Sequence, residues 1–299
     1  MDADRSSKSL SLLPFGIPTL IIAEDPQLLA AAAAAYAHWL AEKPVGEPVI
    51  EIGLEIGRPS TNGVSLDISV DGSRLRLKGR GCEGVADALS GKAQARLASE
   101  IVNQRDVLAD ILDTLLLFLL ARRGRTPVHA SAFMLGDVAI VFAGHSGSGK
   151  STLALAAVQR GYPVLSDDMI FVQEEPSFAA WGFPRPIHVF PEDAPAGDHE
   201  RRMRNGKLKA AVPLPTPALR AERTVLVVLE RGTELWMQPI SADEAASALM
   251  NLDAGFDLLE SESKSAIEAL ASGGAWRLSL AEDPLQAVDF VSGRLSAQK

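Results

Sequence analysis

The sequence predicts an α/β protein in two parts, a small N-terminal α/β domain over residues 1–100 and a larger mixed-sheet domain over residues 101–299. Three features carry that expectation. Short runs of alternating apolar and polar residues recur in the first hundred residues, separated by helix-start and turn signals. A strand, a glycine-rich turn and a helix follow one another between residues 138 and 161. Another strand precedes them across the tight turn Gly136-Asp137, so a hairpin leads into the glycine-rich turn.

Taken in order, residues 18–23 read as a strand, and Asp25-Pro26 supplies an N-cap and first-turn proline for an alanine-rich helix to about residue 43. Residues 49–56 alternate with period two, as a half-buried strand does. Residues 64–70 and 73–78 flank Asp71-Gly72, a strong hairpin signal. A helical region is expected over 91–123, with Gly124 as its stop. Its most apolar part, 107–121, is too short for a bilayer and carries Asp110 and Asp113, so it reads as a buried core helix.

Strands over 128–134 and 138–143, a helix over 151–160 closed by Gly161, and two strand halves around Asp167-Asp168 come next. Residues 176–217 are dense in proline and glycine and read as long loops with short strands. A buried strand over 224–229 follows, then a helix opened by the capping box Ser241-Ala-Asp-Glu244. A helix over 260–271, a strand over 276–280 and a final helix opened by Asp283-Pro284 complete the chain.

Composition removes several classes of function. A net charge of −9 argues against a nucleic-acid partner held by a general basic surface. The single cysteine, Cys82, excludes an intramolecular disulfide and a multi-cysteine metal site, and fits a reducing compartment. The charged N-terminus leads into a run broken by Pro14, which is not a secretory signal. A cytoplasmic chain without a membrane partner is the expectation.

The octapeptide Gly144-His145-Ser146-Gly147-Ser148-Gly149-Lys150-Ser151 matches the loop that wraps nucleotide phosphates in backbone N–H groups. Its glycines permit turns and close approaches that a Cβ would block, and the helix behind it turns its positive end to the same anion. Lys150 is expected to reach the β- and γ-phosphates, the Ser151 hydroxyl to hold Mg²⁺, and Thr152 to extend the set. Common nucleotide-binding proteins carry this loop near the start of the domain. Here 143 residues precede it, which points away from adenylate-kinase-like and GTPase-like arrangements.

Asp167 and Asp168 lie one helix and one strand further on, where the chain returns to the mouth of the loop. Two adjacent carboxylates there can divide phosphoryl transfer, one taking a proton and the other supporting the metal. On an extended segment they point to opposite faces, which suits unlike jobs. His129, on the strand paired with the one entering the loop, is either a structural histidine or one placed near the transferred phosphate.

The run Val128-His129, Gly144 to Ser151, Arg160-Gly161 and Ser166-Asp167-Asp168 resembles the catalytic core of bacterial HPr kinase/phosphorylase, of the phosphoenolpyruvate-carboxykinase-type fold. The likeness covers about residues 126–172. It implies an ATP- and Mg²⁺-dependent serine kinase with Asp167 as base, Asp168 on the metal and His129 close to the phosphates. The family's Glu-x-Arg-Gly-x-Gly signature is missing; Arg185, in Trp181-Gly-Phe-Pro-Arg185-Pro, is its nearest candidate. The N-terminal hundred residues do not resemble the HPr enzymes' regulatory domain. The chain is more similar to HPr-kinase-like proteins that modify ribosomal peptides, such as lasso-peptide precursors, on a serine. The implied partners are a nucleotide and a peptide or small protein, with homo-oligomers possible for the family.

Residues 201–209 carry Arg201, Arg202, Arg204, Lys207 and Lys209, either a solvated charged loop or a mobile one that clamps phosphate or an acidic substrate tail. Lys207, beside Gly206, is the preferred phosphate ligand. A second function fits the sequence less well: an ATPase or GTPase switch with Glu230 at the end of a Walker-B-like strand. A non-catalytic peptide-binding module is the third.

Overall fold

A computed structural model describes residues 8–43, 46–59, 65–204, 206–250 and 260–297. The chain divides into compact units at residues 123/124 rather than 100/101. The cause is the apolar helix Arg105–Ala121, which packs on the strands of the first unit and buries Leu108, Ile111, Leu112 and Leu115 there.

The first unit is a seven-stranded sheet. Its strands are β1 (Ser9–Leu12), β2 (Thr19–Ala23), β3 (Ile50–Ile56), β4 (Asp67–Asp71), β5 (Arg74–Gly79), β6 (Cys82–Asp87) and β7 (Lys92–Leu97), in the order β1-β2-β3-β7-β6-β5-β4. Helices α1 (Pro26–Ala35) and α2 (Arg105–Ala121) pack on it and on each other. Asp25 caps α1 by accepting from Gln27 N at 2.7 Å. The helix stops at Ala35, short of residue 43, because Tyr36 leaves helical geometry to stack on Trp39 and donate its hydroxyl to Asp113 at 2.7 Å. The hairpin forms at Asp71-Gly72 as expected, with Gly72 at φ 57°. Residues 60–64 lie outside the described residues, and with them the start of the expected 64–70 strand.

The helical region expected from residue 91 begins instead with β7. Lys-Ala-Gln-Ala-Arg-Leu is composed like a helix, but its alternation buries Ala93, Ala95 and Leu97 against β3 and β6. Cys82 is an inward residue of β6, and burial pushes its thiol up to about 11.

The second unit is built on a six-stranded mixed sheet, β11-β9-β10-β18-β20-β19. These are β9 (Ala130–Leu135), β10 (Val138–Ala143), β11 (Val164–Ser166), β18 (Arg223–Arg231), β19 (Trp236–Ile240) and β20 (Ala275–Leu280). The central strands β10, β18 and β20 run parallel, and the flanking pairs are antiparallel. Alternation along them feeds two cores. Ile140, Phe142, Val227 and Leu229 join α3 (Lys150–Gln159) and α6 (Pro284–Ser296). Ala139, Val141, Leu226 and Val228 join α4 (Ala242–Met250) and α5 (Glu260–Ala271). The caps expected at Ser241 and Asp283 are both present.

A four-stranded sheet, β17-β13-β12-β8, comprises β8 (Thr126–Val128), β12 (Ile170–Gln173), β13 (Ala179–Gly182) and β17 (Arg220–Ala221). A three-stranded sheet, β14-β16-β15, comprises β14 (Ile187–Val189), β15 (Glu200–Arg204) and β16 (Lys207–Val212), so residues 201–209 are mostly hairpin strands rather than a loop. The single strand expected over 128–134 is two strands, broken at His129. There the chain leaves the four-stranded sheet for the six-stranded one, and at residues 167–169 it crosses back from β11 to β12.

Among the described residues, no helix is long and apolar enough to cross a membrane.

Candidate functional site

The site begins at the C-terminal end of β10, where the sheet stops and the chain must turn into α3. Gly147 (φ 81°) and Gly149 (φ 109°) make that turn in the left-handed region that favours glycine. Gly144 is needed for a different reason. A Cβ there would meet Ser148 Oγ at 2.9 Å and Leu229 O at 3.0 Å. Ser148 N donates to His145 O at 3.0 Å and folds the loop over the start of α3. His145, Ser146 and Gly147 are exposed at its crest, while Ser151 and Thr152 are half-buried in the first turn of the helix.

Lys150 is buried beneath the loop, and its ammonium donates to Gly144 O at 2.7 Å and His145 O at 3.1 Å. Burial holds its pKa below the usual lysine range, while Asp168 and Asp167 pull it up. Both carboxylates thus act on this lysine electrostatically. Ser131 Oγ on β9 donates to Lys150 O at 3.0 Å and anchors the first turn from the other side.

Asp167 and Asp168 occupy the crossover between β11 and β12 and differ sharply in environment. Asp167 is buried and accepts from the backbone N of His188 at 2.9 Å. Asp168 is exposed, and His129 Nδ1 stands 3.3 Å from its Oδ1. That pairing follows from topology. β9 pairs with β11 in one sheet and β8 with β12 in the other, so the two crossing segments, with His129 and Asp168 on them, run side by side. Ser166 Oγ stiffens the turn by accepting from Met169 N and donating to Phe183 O, each at 3.3 Å.

Two residues at the site were missed by sequence reasoning. The backbone of His188, on a three-residue strand in the proline-rich segment, carried no signal. Arg231, at the end of β18, reaches the crest of the loop, with Nε 3.2 Å and Nη2 3.1 Å from Gly147 O. Strand alternation turns Glu230 the other way, 3.9 Å from Arg277. The residue that meets the loop from this strand is thus an arginine rather than a Walker-B-like acid.

The remaining expected residues lie on neighbouring elements. The Arg185 guanidinium rests 4.6 Å from the Phe183 ring centre, on the segment between β13 and β14. Lys207 opens β16, with its ammonium 5.8 Å from the Phe190 ring centre.

The loop is chemically suited to a polyphosphate. It offers backbone N–H groups at the start of a ten-residue helix, a buried cation and a buried hydroxyl, Ser148 Oγ, that has no hydrogen-bond partner among the described residues. No group of three or more His, Cys, Asp or Glu gathers to hold a metal among the described residues. Mg²⁺ binds through one or two protein oxygens plus phosphates and water, and Ser151 and Asp168 are the oxygens on offer here.

No family model matches the chain, and no curated protein matches it significantly. Among solved structures, the Hpr(Ser) kinase/phosphatase from Coxiella burnetii aligns at 14% identity over 58% of this chain and 100% of that chain, with a TM-score of 0.31.

Proposed function

We propose that this chain is a P-loop phosphotransferase that uses ATP with Mg²⁺ to phosphorylate a serine of a peptide or small protein, on an HPr-kinase-like, phosphoenolpyruvate-carboxykinase-type domain. One observation carries the reading: a buried carboxylate, Asp167, and an exposed carboxylate paired with a histidine, Asp168, stand beside the buried lysine of a phosphate loop. An ATP-driven switch needs no such pair, and Glu230 is turned to Arg277.

The residues divide the work as follows. The loop's N–H groups and Lys150 bind the β- and γ-phosphates and hold the γ-phosphoryl group in line. Ser151 and Asp168 would hold Mg²⁺, which would offset charge on the phosphate oxygens. Asp167 accepts the proton of the serine hydroxyl as its oxygen bonds to the γ-phosphorus, the bond to the β-phosphate oxygen breaks, and ADP leaves. The His188 N–H fixes the Asp167 carboxylate through its Oδ2. His129 orients Asp168 and, when protonated, adds positive charge near the phosphates. Arg185, on the segment before β14, and Lys207, at the start of β16, are proposed to approach the terminal phosphate.

A docking or assembly role is proposed for the first unit, and lasso-type precursor peptides are the acceptors that the sequence resemblance suggests. The test is intact-mass analysis of small peptides from a host lysate incubated with the protein, ATP and Mg²⁺, beside an Asp167→Asn control. A phosphate gained on a serine peptide only with the active protein supports the kinase. Steady ATP hydrolysis with no modified peptide favours the switch.

A further inference from the structure

The hairpin β15–β16 is more than a carrier for Lys207. Its sheet buries Ile187, Val189 and Val212 in the core shared with α3, but toward the hairpin turn that cover runs out. Met203 and Leu208, paired across the hairpin, are 66% and 44% exposed. Phe190, just past β14, is 38% exposed, and the Lys209 ammonium sits 3.4 Å from its ring centre. β15 is an edge strand whose sheet partner is β16, so its outer backbone groups face no strand among the described residues.

The charge here runs against the rest of the molecule. Residues 201–209 hold five basic residues and no acid in a chain of net charge −9. Among the described residues, no carboxylate pairs with Arg201, Lys207 or Lys209.

We propose that β15 is a docking edge for the acceptor: an extended segment rich in acidic and apolar residues adds to it as a fourth strand. Backbone groups of the edge supply affinity, Met203 and Leu208 meet apolar side chains on one face of the hairpin, and Lys209, on the opposite face, meets carboxylates. A free strand edge fits an extended polypeptide better than a lipid surface or a nucleic acid, which offer no such ladder. The sheet is continuous with the candidate site, because the backbone of His188 on β14 bonds Asp167. Two strand spacings, roughly 10 Å, separate β15 from β14, so the docked segment is distinct from the reacting serine. The acceptor assignment rests on the serine-kinase reading.

Direct binding tests it without turnover. A fluorescent peptide alternating Glu and Leu around one serine is titrated with the full chain at low salt. Its two alternately N-methylated forms, one for each edge, and a version with Lys in place of Glu are titrated alongside. The variants are Lys209→Glu and Met203→Glu, with Lys207 left intact and folding checked by melting temperature.

Anisotropy is expected to show binding that weakens about tenfold or more in each variant, with Lys for Glu, and on N-methylation of one edge but not the other. Equal binding by both N-methylated forms, or no loss on charge reversal, would overturn the docking edge. So would preferential sedimentation with phosphatidylserine vesicles. The kinase reading fails separately, if Lys150→Ala leaves ATP affinity unchanged.

Discussion

Arg231 fastens the crest of the phosphate loop: its Nε and Nη2 lie 3.2 and 3.1 Å from the carbonyl oxygen of Gly147. A carbonyl held from behind cannot swing into the cradle, so the loop's N–H groups stay turned toward the anion. Arg231→Gln removes the two-point hold and is expected to raise the dissociation constant for ADP about tenfold, with Arg231→Lys intermediate. Titration calorimetry on the three proteins checks it. Equal affinities would show that the loop holds its shape unaided.

Lys150 sets function against stability. Burial lowers its folded pKa below the unfolded value, so the fold bears a desolvation cost wherever the lysine is charged. That cost is relieved as pH rises through the lowered folded pKa. Lys150→Met is therefore expected to raise the melting temperature of the nucleotide-free protein at pH 7, by a margin that narrows toward alkaline pH. The carbonyls it leaves lie under an exposed crest that water can reach. The melting increment given by ATP and Mg²⁺ should disappear. An unchanged increment would remove Lys150 from phosphate binding.

The phosphate loop was legible because its chemistry is local: glycine spacing, the flanking strand and helix, and the lysine all lie within one stretch of sequence. The aspartate pair was legible for a related reason, since one helix and one strand return the chain to the loop's mouth. What could not be read was long-range pairing. Nothing local at His129 or Asp167 says that the chain changes sheets there, yet that double crossing brings His129 to Asp168. Arg231 was hidden by strand alternation, because register decides which of Glu230 and Arg231 faces the loop. In the first unit, β7 was lost to composition: alanine, lysine and arginine favour helices, and inward Ala93 and Ala95 carry too little apolar contrast to reveal period two.

Gly144 tests how tightly the loop is packed behind its crest. An added methyl would sit 2.9 Å from Ser148 Oγ and 3.0 Å from Leu229 O. Ser148 can rotate, but the Leu229 carbonyl belongs to β18 and cannot move without its strand. Gly144→Ala should therefore displace the loop, weaken nucleotide binding at least about tenfold and cost about 1–3 kcal/mol of stability. Urea unfolding and nucleotide titration of the same sample measure both. Retained affinity would mean that the loop can shift as a body without losing its cradle.

The proposed division of labour between the aspartates makes opposite predictions for two isosteric changes. Asp167 is buried and held by the His188 N–H, an environment suited to a fixed proton acceptor, while Asp168 is exposed beside His129. Asp167→Asn keeps the shape and removes the base, so transfer should fall by about 10²-fold or more while ATP affinity stays nearly the same. Asp168→Asn keeps the base and weakens the metal's support, so transfer should be recoverable in part by raising Mg²⁺. Single-turnover transfer measured across a Mg²⁺ series separates the two. If excess Mg²⁺ restores the Asp167 variant and leaves the Asp168 variant inactive, the roles are reversed. If neither change slows transfer, the crossover is a structural turn and the proton goes elsewhere.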